Sequence, residues 1–283
     1  MNILITGATG FVGRHLMADL KRRANLFILA RPGSDYASVE ADGVFIFEDN
    51  IPGLADYLRR NHIDGVIHLA SLYVAAHTSE QIKELVLSNI YLGTALLEAC
   101  KDAGVKWFLN TGTIWQNYHA QDRSDAYNPV NLYAASKQAF MTMARYYEET
   151  GSIRFCTLKL CDTYGPDDTR RKIFALFEQI AKTGEALDMS PGEQLLDMIH
   201  IDDVVAGFER LVDMLDNPAC KLLPEYVLSS GKQRSLKELA ALYEQKHQVK
   251  LNIRWGGRAY REREVMKPYK GNVLEGWSPK VVF

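Results

Sequence analysis

The chain opens on an apolar run, residues 2–6, that leads directly into Thr6-Gly7-Ala8-Thr9-Gly10-Phe11-Val12-Gly13. No other stretch restricts the fold as strongly. Three glycines at this spacing let the backbone reverse tightly and bring its N–H groups close to an anion. Residues 11–23 follow with helical spacing, Phe11, Val12, His15, Leu16 and Leu20 falling near one face. The helix would point its N–H groups and the positive end of its dipole at a pyrophosphate. A glycine pattern alone is weak evidence. Set between a first strand and an amphipathic helix, it meets the structural context that a dinucleotide-binding turn requires.

The same alternation continues. Residues 26–30, 44–47, 65–70, 107–110 and 153–160 read as strands, and residues 54–60, 82–103 and 133–149 as helices between them. Strand–helix repetition implies parallel strands with right-handed crossovers and helices on both faces. The expected class is therefore α/β, a Rossmann-type doubly wound parallel sheet with a smaller C-terminal substrate-capping region. Past residue 160 the pattern breaks. Tyr164-Gly165-Pro166-Asp167-Asp168 reads as a turn, residues 172–183 as a helix, and residues 236–245 as a helix opened by Ser235 and Glu238 in a capping-box arrangement. We expect residues 1–160 to form the dinucleotide-binding domain, with parts of 197–230 returning to it. Residues 161–196 and 231–283 are expected to form the substrate-binding region.

The formal net charge of −2 offers no basic excess for nucleic acid. No apolar run approaches the roughly 18 residues of a membrane span. Residues 1–5 lack the charged segment and cleavage site of a secretory signal. Cys100, Cys156, Cys161 and Cys220 form no C-x-x-C pair and have no histidine at zinc spacing, so reduced thiols, no metal and a cytoplasmic location are expected.

The second strand bears on which dinucleotide binds. NAD-binding turns place an acid at its end, on the ribose 2′-hydroxyl. Here the strand ends Leu29-Ala30-Arg31, with no acid. Arg31 reads either as a fork for a 2′-phosphate, with Arg14 as a possible helper, or as a solvated surface charge. Asn50, with Ile51 beside it after the third strand, reads either as a partner for the adenine edge or as an Asx turn.

Tyr133 and Lys137 stand at i, i+4 in a helix and project from one face. None of the other 13 tyrosines has a lysine four residues on. A free phenol, with a pKa of about 10, holds its proton too tightly for efficient exchange near neutrality, and an ammonium close by favours the phenolate. Thr111, at the carboxyl end of the fifth strand, would supply a hydroxyl to a substrate oxygen, with Thr113 as its close competitor.

These residues resemble the extended short-chain dehydrogenase/reductase family, over nearly the whole chain. The stretch from Thr6 to Gly13 looks like that family's cofactor turn and Ile67-His68-Leu69-Ala70 like its fourth strand. Asn89-Ile90-Tyr91-Leu92-Gly93-Thr94 resembles its Asn-containing helix. Asp162-Thr163-Tyr164-Gly165-Pro166 and Ile199-His200-Ile201-Asp202-Asp203-Val204 match two further segments. The resemblance implies catalytic roles for Thr111, Tyr133 and Lys137. It implies a cofactor site of Gly7, Thr9, Gly10, Phe11, Val12, Gly13, Arg31, Asn50, Ile51, Leu69, Ala70, Ser71, Asn89, Tyr133 and Lys137. Trp115-Gln116 departs from the family's Tyr-Gly, and Thr113 and Gln116 become candidate substrate contacts.

Gly256-Gly257-Arg258-Ala259-Tyr260-Arg261 and Glu264 resemble the C-terminal segment of nucleoside-diphosphate-sugar 4-ketoreductases, where an Arg holds the substrate diphosphate; Arg261 is the matching position. The implied activity is NADPH-dependent reduction of a nucleoside-diphosphate 4-keto-6-deoxyhexose, with a homodimer formed through the two long helices. The alternatives are a nucleotide-sugar epimerase, a reductase of a non-nucleotide carbonyl compound, and a non-catalytic NADP(H) sensor. Dehydratases of the family usually carry an acidic pair after the catalytic Thr, where this chain has Gly112-Thr113.

Overall fold

Strands that are apolar on both sides belong inside a sheet covered on both faces, and the central sheet is made of such strands. In the computed structural model, which describes residues 1–119, 126–281 and 283, the first half alternates strands with helices except where β3 follows β2 directly and α4 follows α3. It comprises β1 (Asn2–Thr6), α1 (Phe11–Leu20), β2 (Asn25–Ala30), β3 (Gly43–Ile46), α2 (Ile51–Arg60), β4 (Gly65–His68), α3 (Ile82–Val86), α4 (Leu92–Ala103), β5 (Trp107–Thr113), α5 (Leu132–Glu149) and β6 (Arg154–Leu160). The second half comprises β7 (Asp162–Tyr164), α6 (Ile173–Thr183), β8 (Leu187–Met189), β9 (Leu195–His200), α7 (Ile201–Asp216), β10 (Glu225–Leu228), β11 (Gln233–Ser235), α8 (Leu236–His247) and β12 (Ile253–Trp255).

Seven strands form one parallel sheet in the order β10-β6-β5-β4-β1-β2-β3. The strand order reverses between β1 and β4, which opens a crevice at their carboxyl ends. On one face Ile3, Ile5, Trp107 and Leu109 pack with Leu16 and Leu20 of α1 and Phe208 and Leu211 of α7. On the other, Leu4, Val66 and Phe108 meet Leu54, Leu96 and Phe140 from α2, α4 and α5. Each such side chain contributes about 1.5–3 kcal/mol on burial. A mixed sheet, β11-β9-β7, and a parallel pair, β12-β8, surround a third apolar cluster that includes Phe177, Met198, Leu239 and Tyr243.

The elements differ from the sequence reading at their ends. α2 starts at Ile51 rather than 54 because Asn50 caps it and Pro52 occupies its first turn. β5 runs to Thr113 because Thr111, Gly112 and Thr113 pair with Leu158, Lys159 and Leu160. The helix read as 82–103 is interrupted by a π turn, Leu87–Tyr91, between α3 and α4. The capping box at Ser235 forms as read, with Glu238 N donating to Ser235 Oγ at 3.1 Å and Ser235 N to Glu238 Oε2 at 2.7 Å. Among the described residues no helix is long and apolar enough to cross a membrane.

Candidate active site

The glycine turn lies at the reversal point of the sheet. Gly7 has φ +71°, and a Cβ there would stand 2.7 Å from Ala70 N, so the turn presses against the backbone that leaves β4. A Cβ on Gly13 would lie 2.2 Å from Gly7 O, which explains why α1 can begin so close behind the turn. Thr6 ties the two segments together. Its Oγ1 accepts from Ala70 N at 3.1 Å and shares a hydrogen bond with His68 Nδ1 at 2.8 Å. Burial and the nearby Lys137 push the His68 imidazole down to about 3, so it is neutral.

A cavity of about 260 Å³ runs along this turn, lined by Gly7, Thr9 and Gly10, by Arg31 and Ser34 beyond β2, and by Leu69, Ala70, Ser71 and Leu72 beyond β4. A larger cavity of about 660 Å³ lies between α6 and α8, lined by Phe174, Tyr243 and Lys246 among others. The glycine turn lines the smaller cavity and not the larger, so the dinucleotide side of the site is assigned there; Tyr133, Lys137 and Thr111 lie outside both linings. Arg31 is exposed at the rim, and among the described residues no carboxylate pairs with it. Arg14 does not assist it. Its guanidinium donates to Thr9 O at 2.8 Å and to Asp167 O at 3.5 Å, bracing the turn from outside. The Asn50 side chain accepts from Gly53 N at 2.9 Å, which is the Asx-type reading, and Asn50 and Ile51 lie outside this cavity's lining.

Tyr133 sits in the first turn of α5. Asn131 caps that helix, its Oδ1 accepting from Ala134 N at 2.9 Å while its amide donates to Ala75 O at 3.1 Å. The Tyr133 ring meets Tyr73 edge-on at 5.1 Å, and Tyr73 meets Trp115 at 5.8 Å. Lys137 is 2% exposed, and among the described residues no group accepts a hydrogen bond from it. Its burial pushes it down to about 8. Thr111 Oγ1 is buried without a hydrogen-bond partner.

One expectation is reversed. Burial pushes the Tyr133 phenol up to about 12; Ser71 draws it down in part, and Tyr73 raises it further. The lysine is itself desolvated, and the aromatic surroundings of the phenol penalise its anion.

Gln116 is also reassigned. It is fully buried, its Nε2 donating to Gln138 Oε1 at 2.7 Å while its Oε1 accepts from Thr113 N at 3.0 Å. Thr113 Oγ1 accepts from Trp115 N at 3.3 Å. Thr113 caps the turn that follows β5, while Gln116 ties that turn to α5 and has no free group for the cleft. Asn89 is 1% exposed with its amide fully used: Leu72 N at 2.7 Å and Ser71 Oγ at 3.2 Å donate to it, and it donates to Leu72 O at 3.0 Å and Ser136 Oγ at 2.9 Å. It shapes the cavity wall and does not face into it.

The sequence model of the NAD dependent epimerase/dehydratase family matches residues 3–221. The chain belongs to this family. Among its members, CDP-abequose synthase of Salmonella muenchen is 28% identical over 284 residues, spanning 98% of this chain and 92% of that protein. UDP-glucuronate 4-epimerase 2 of Arabidopsis thaliana is also 28% identical, over 84% of this chain and 58% of that protein. The fold superposes on UDP-glucose 4-epimerase of Thermotoga maritima with TM-score 0.84 at 20% identity, covering 100% of this chain and 94% of that one. It superposes on the dTDP-glucose 4,6-dehydratase DesIV of Streptomyces venezuelae with TM-score 0.81 at 23% identity, covering 100% and 93%.

Sequence reasoning misses or underrates some of the cleft. Tyr73 lies on the irregular segment after β4, where no periodicity marks it. Burial raises the Tyr73 phenol, the Arg261 charge draws it down and Asp162 pushes it up. Trp115 stands out in the sequence only as a departure from the family pattern, and Ser71 only as a strand-end residue. Arg261 itself is exposed, on a loop pinned by its neighbour Arg263, which bonds Asn128 Oδ1 and Pro129 O and covers the Tyr118 ring at 4.4 Å.

Proposed function

We propose that this protein reduces a nucleoside-diphosphate 4-keto-6-deoxyhexose with NADPH. The observation that carries the reading is Arg31. It stands at the end of β2 on the glycine-turn cavity, beside Ser34, with no acid to receive a ribose 2′-hydroxyl. A guanidinium there suits a 2′-phosphate, and a 2′-phosphorylated donor suits net reduction. The extent of the likeness to CDP-abequose synthase supports the same assignment.

The residues fit the cofactor. The glycine turn and the N-terminus of α1 would hold its pyrophosphate, Arg31 its 2′-phosphate, and Lys137, a buried ammonium without a protein acceptor, its ribose hydroxyls. When bound, NADPH supplies the hydride. Thr111 Oγ1 donates a hydrogen bond to the ketone oxygen. Tyr133, held as a neutral phenol by its raised pKa, gives its proton to the oxygen as negative charge develops there. Arg261 would bind the diphosphate. Tyr73 and Trp115 line the cleft with aromatic surface, which favours an apolar deoxy edge of the sugar over a charged one.

α3, the π turn that follows it and α5 leave Val86, Leu87, Met143 and Tyr146 exposed, and we assign this face to a second copy of the chain. A screen of NADPH oxidation over CDP-, dTDP-, UDP- and GDP-4-keto-6-deoxyhexoses, with NMR of the product, tests the function. Tyr133→Phe should lower turnover at least about a hundredfold with NADPH affinity nearly kept. The second reading, favoured by the similarity to UDP-glucuronate 4-epimerases, is epimerisation. It predicts interconversion of 4-epimers with no net NADPH consumption.

A further inference from the structure

Residues 128–131 lead into α5 and so set where Tyr133 begins. Three remote segments are fastened to them. From the end of β5, Gln116 O accepts from Asn128 N at 2.9 Å and Trp115 O from Val130 N at 2.9 Å. From the segment beyond β4, next to Tyr73, Ala75 O and Val74 O accept from Asn131 Nδ2 at 3.1 and 3.4 Å. The third segment is the C-terminal loop that bears Arg261, and Arg263 makes that attachment.

The Arg263 guanidinium donates along one edge, Nε to Pro129 O at 3.1 Å and Nη2 to Asn128 Oδ1, while its face covers the Tyr118 ring at 4.4 Å. Tyr118 N donates to Asn128 O at 2.7 Å, so ring and acceptor belong to one bonded pair. Bonds in the guanidinium plane and a ring against its face fix both its position and its tilt. Two residues earlier, Arg261 is exposed on a closed turn: its N–H donates to Glu264 Oε2 at 3.2 Å, and Glu264 N donates to Arg261 O at 3.2 Å. The loop is therefore a stiff lever. One end presents Arg261, and the other grips Pro129, four residues before Tyr133.

We propose that Arg263 is a positioning residue that couples diphosphate capture at Arg261 to the placement of Tyr133. Binding energy from the part of the substrate that does not react then orients the proton donor at the part that does. The proposal rests on the roles of Arg261 and Tyr133 given above.

The test uses full-length protein and four probes, CDP, dTDP, UDP and GDP, with amide hydrogen exchange read by mass spectrometry over residues 126–135. A saturating nucleoside diphosphate should slow exchange there in wild type. Arg263→Ala and Asn128→Ala should each abolish that protection. Asn128→Asp, which keeps the acceptor, should retain it and decides the matter should Arg263→Ala fail to fold. On the 4-keto-6-deoxyhexose nucleotide that is turned over, kcat should fall about tenfold in Arg263→Ala while NADPH affinity stays within about twofold. The double variant should be no worse than either single one, because all three break the same contact. Full protection of residues 126–135 in Arg263→Ala, with diphosphate affinity lost in Arg261→Ala, would overturn the coupling and leave Arg261 standing. Wild-type diphosphate affinity in Arg261→Ala, or no binding of any of the four probes by wild type, would overturn the role of Arg261 and the coupling with it.

Discussion

Replacing Arg31 separates the two nicotinamide dinucleotides. At 4 Å, opposite unit charges attract by about 1 kcal/mol in water and about 4 kcal/mol at the effective dielectric of a protein surface. Arg31 is exposed at the cavity rim, so its pairing with a 2′-phosphate falls between these limits, at about 2 kcal/mol. Arg31→Ala should therefore weaken NADPH binding about thirtyfold and leave NADH binding within about twofold. Arg31→Asp should go further, because a carboxylate repels the 2′-phosphate and accepts from a 2′-hydroxyl. The assay is fluorescence titration of each dinucleotide at two salt concentrations, since an exposed charge pair weakens as salt rises. Equal losses for NADPH and NADH, or no loss for either, would refute the assignment of Arg31 and with it the argument for net reduction.

Lys137 should make stability depend on pH. Its pKa is near 8 when folded against about 10.5 unfolded, so the folded state binds fewer protons between those values and gains stability as pH rises through them. The span corresponds to about 3 kcal/mol. Urea melts of wild type minus Lys137→Met from pH 7.5 to 10.5 should show that rise, and a flat difference would remove the desolvation argument. Gln116→Ala leaves Gln138 Oε1 and Thr113 N without partners. It should cost about 2–4 kcal/mol in denaturant melts while leaving the sugar KM within about twofold; the opposite pattern would return Gln116 to the substrate. Leu87→Glu with Tyr146→Glu should halve the mass seen by light scattering if a second copy covers α3, the π turn and α5. A monomeric wild type would dismiss the dimer.

Much of the nucleotide-facing half is legible in the amino-acid sequence, because its signals are local. Gly13 must be glycine because Gly7 and Ala8 lie against it, and Gly7 turns with a positive φ, while the strands announce double-sided burial through unbroken apolar runs. Tyr133 and Lys137 share a face because a helix repeats every 3.6 residues. Arg31 is legible as the residue where an acid is missing.

What escapes the sequence depends on contacts between distant segments. Asn89 matches a cofactor position by pattern, but the π turn aims its amide at Leu72 and Ser136, 17 and 47 residues away. Gln116 reads as cleft lining until Gln138 and Thr113 claim both ends of its amide. The direction of the Tyr133 shift depends on which groups desolvate it, and Tyr73 and Ser71 reach it from another strand end. Chain order and periodicity carry local geometry. Burial, hydrogen-bond competition and the electrostatics of a cleft arise only when remote segments meet, so tertiary structure alone decided them.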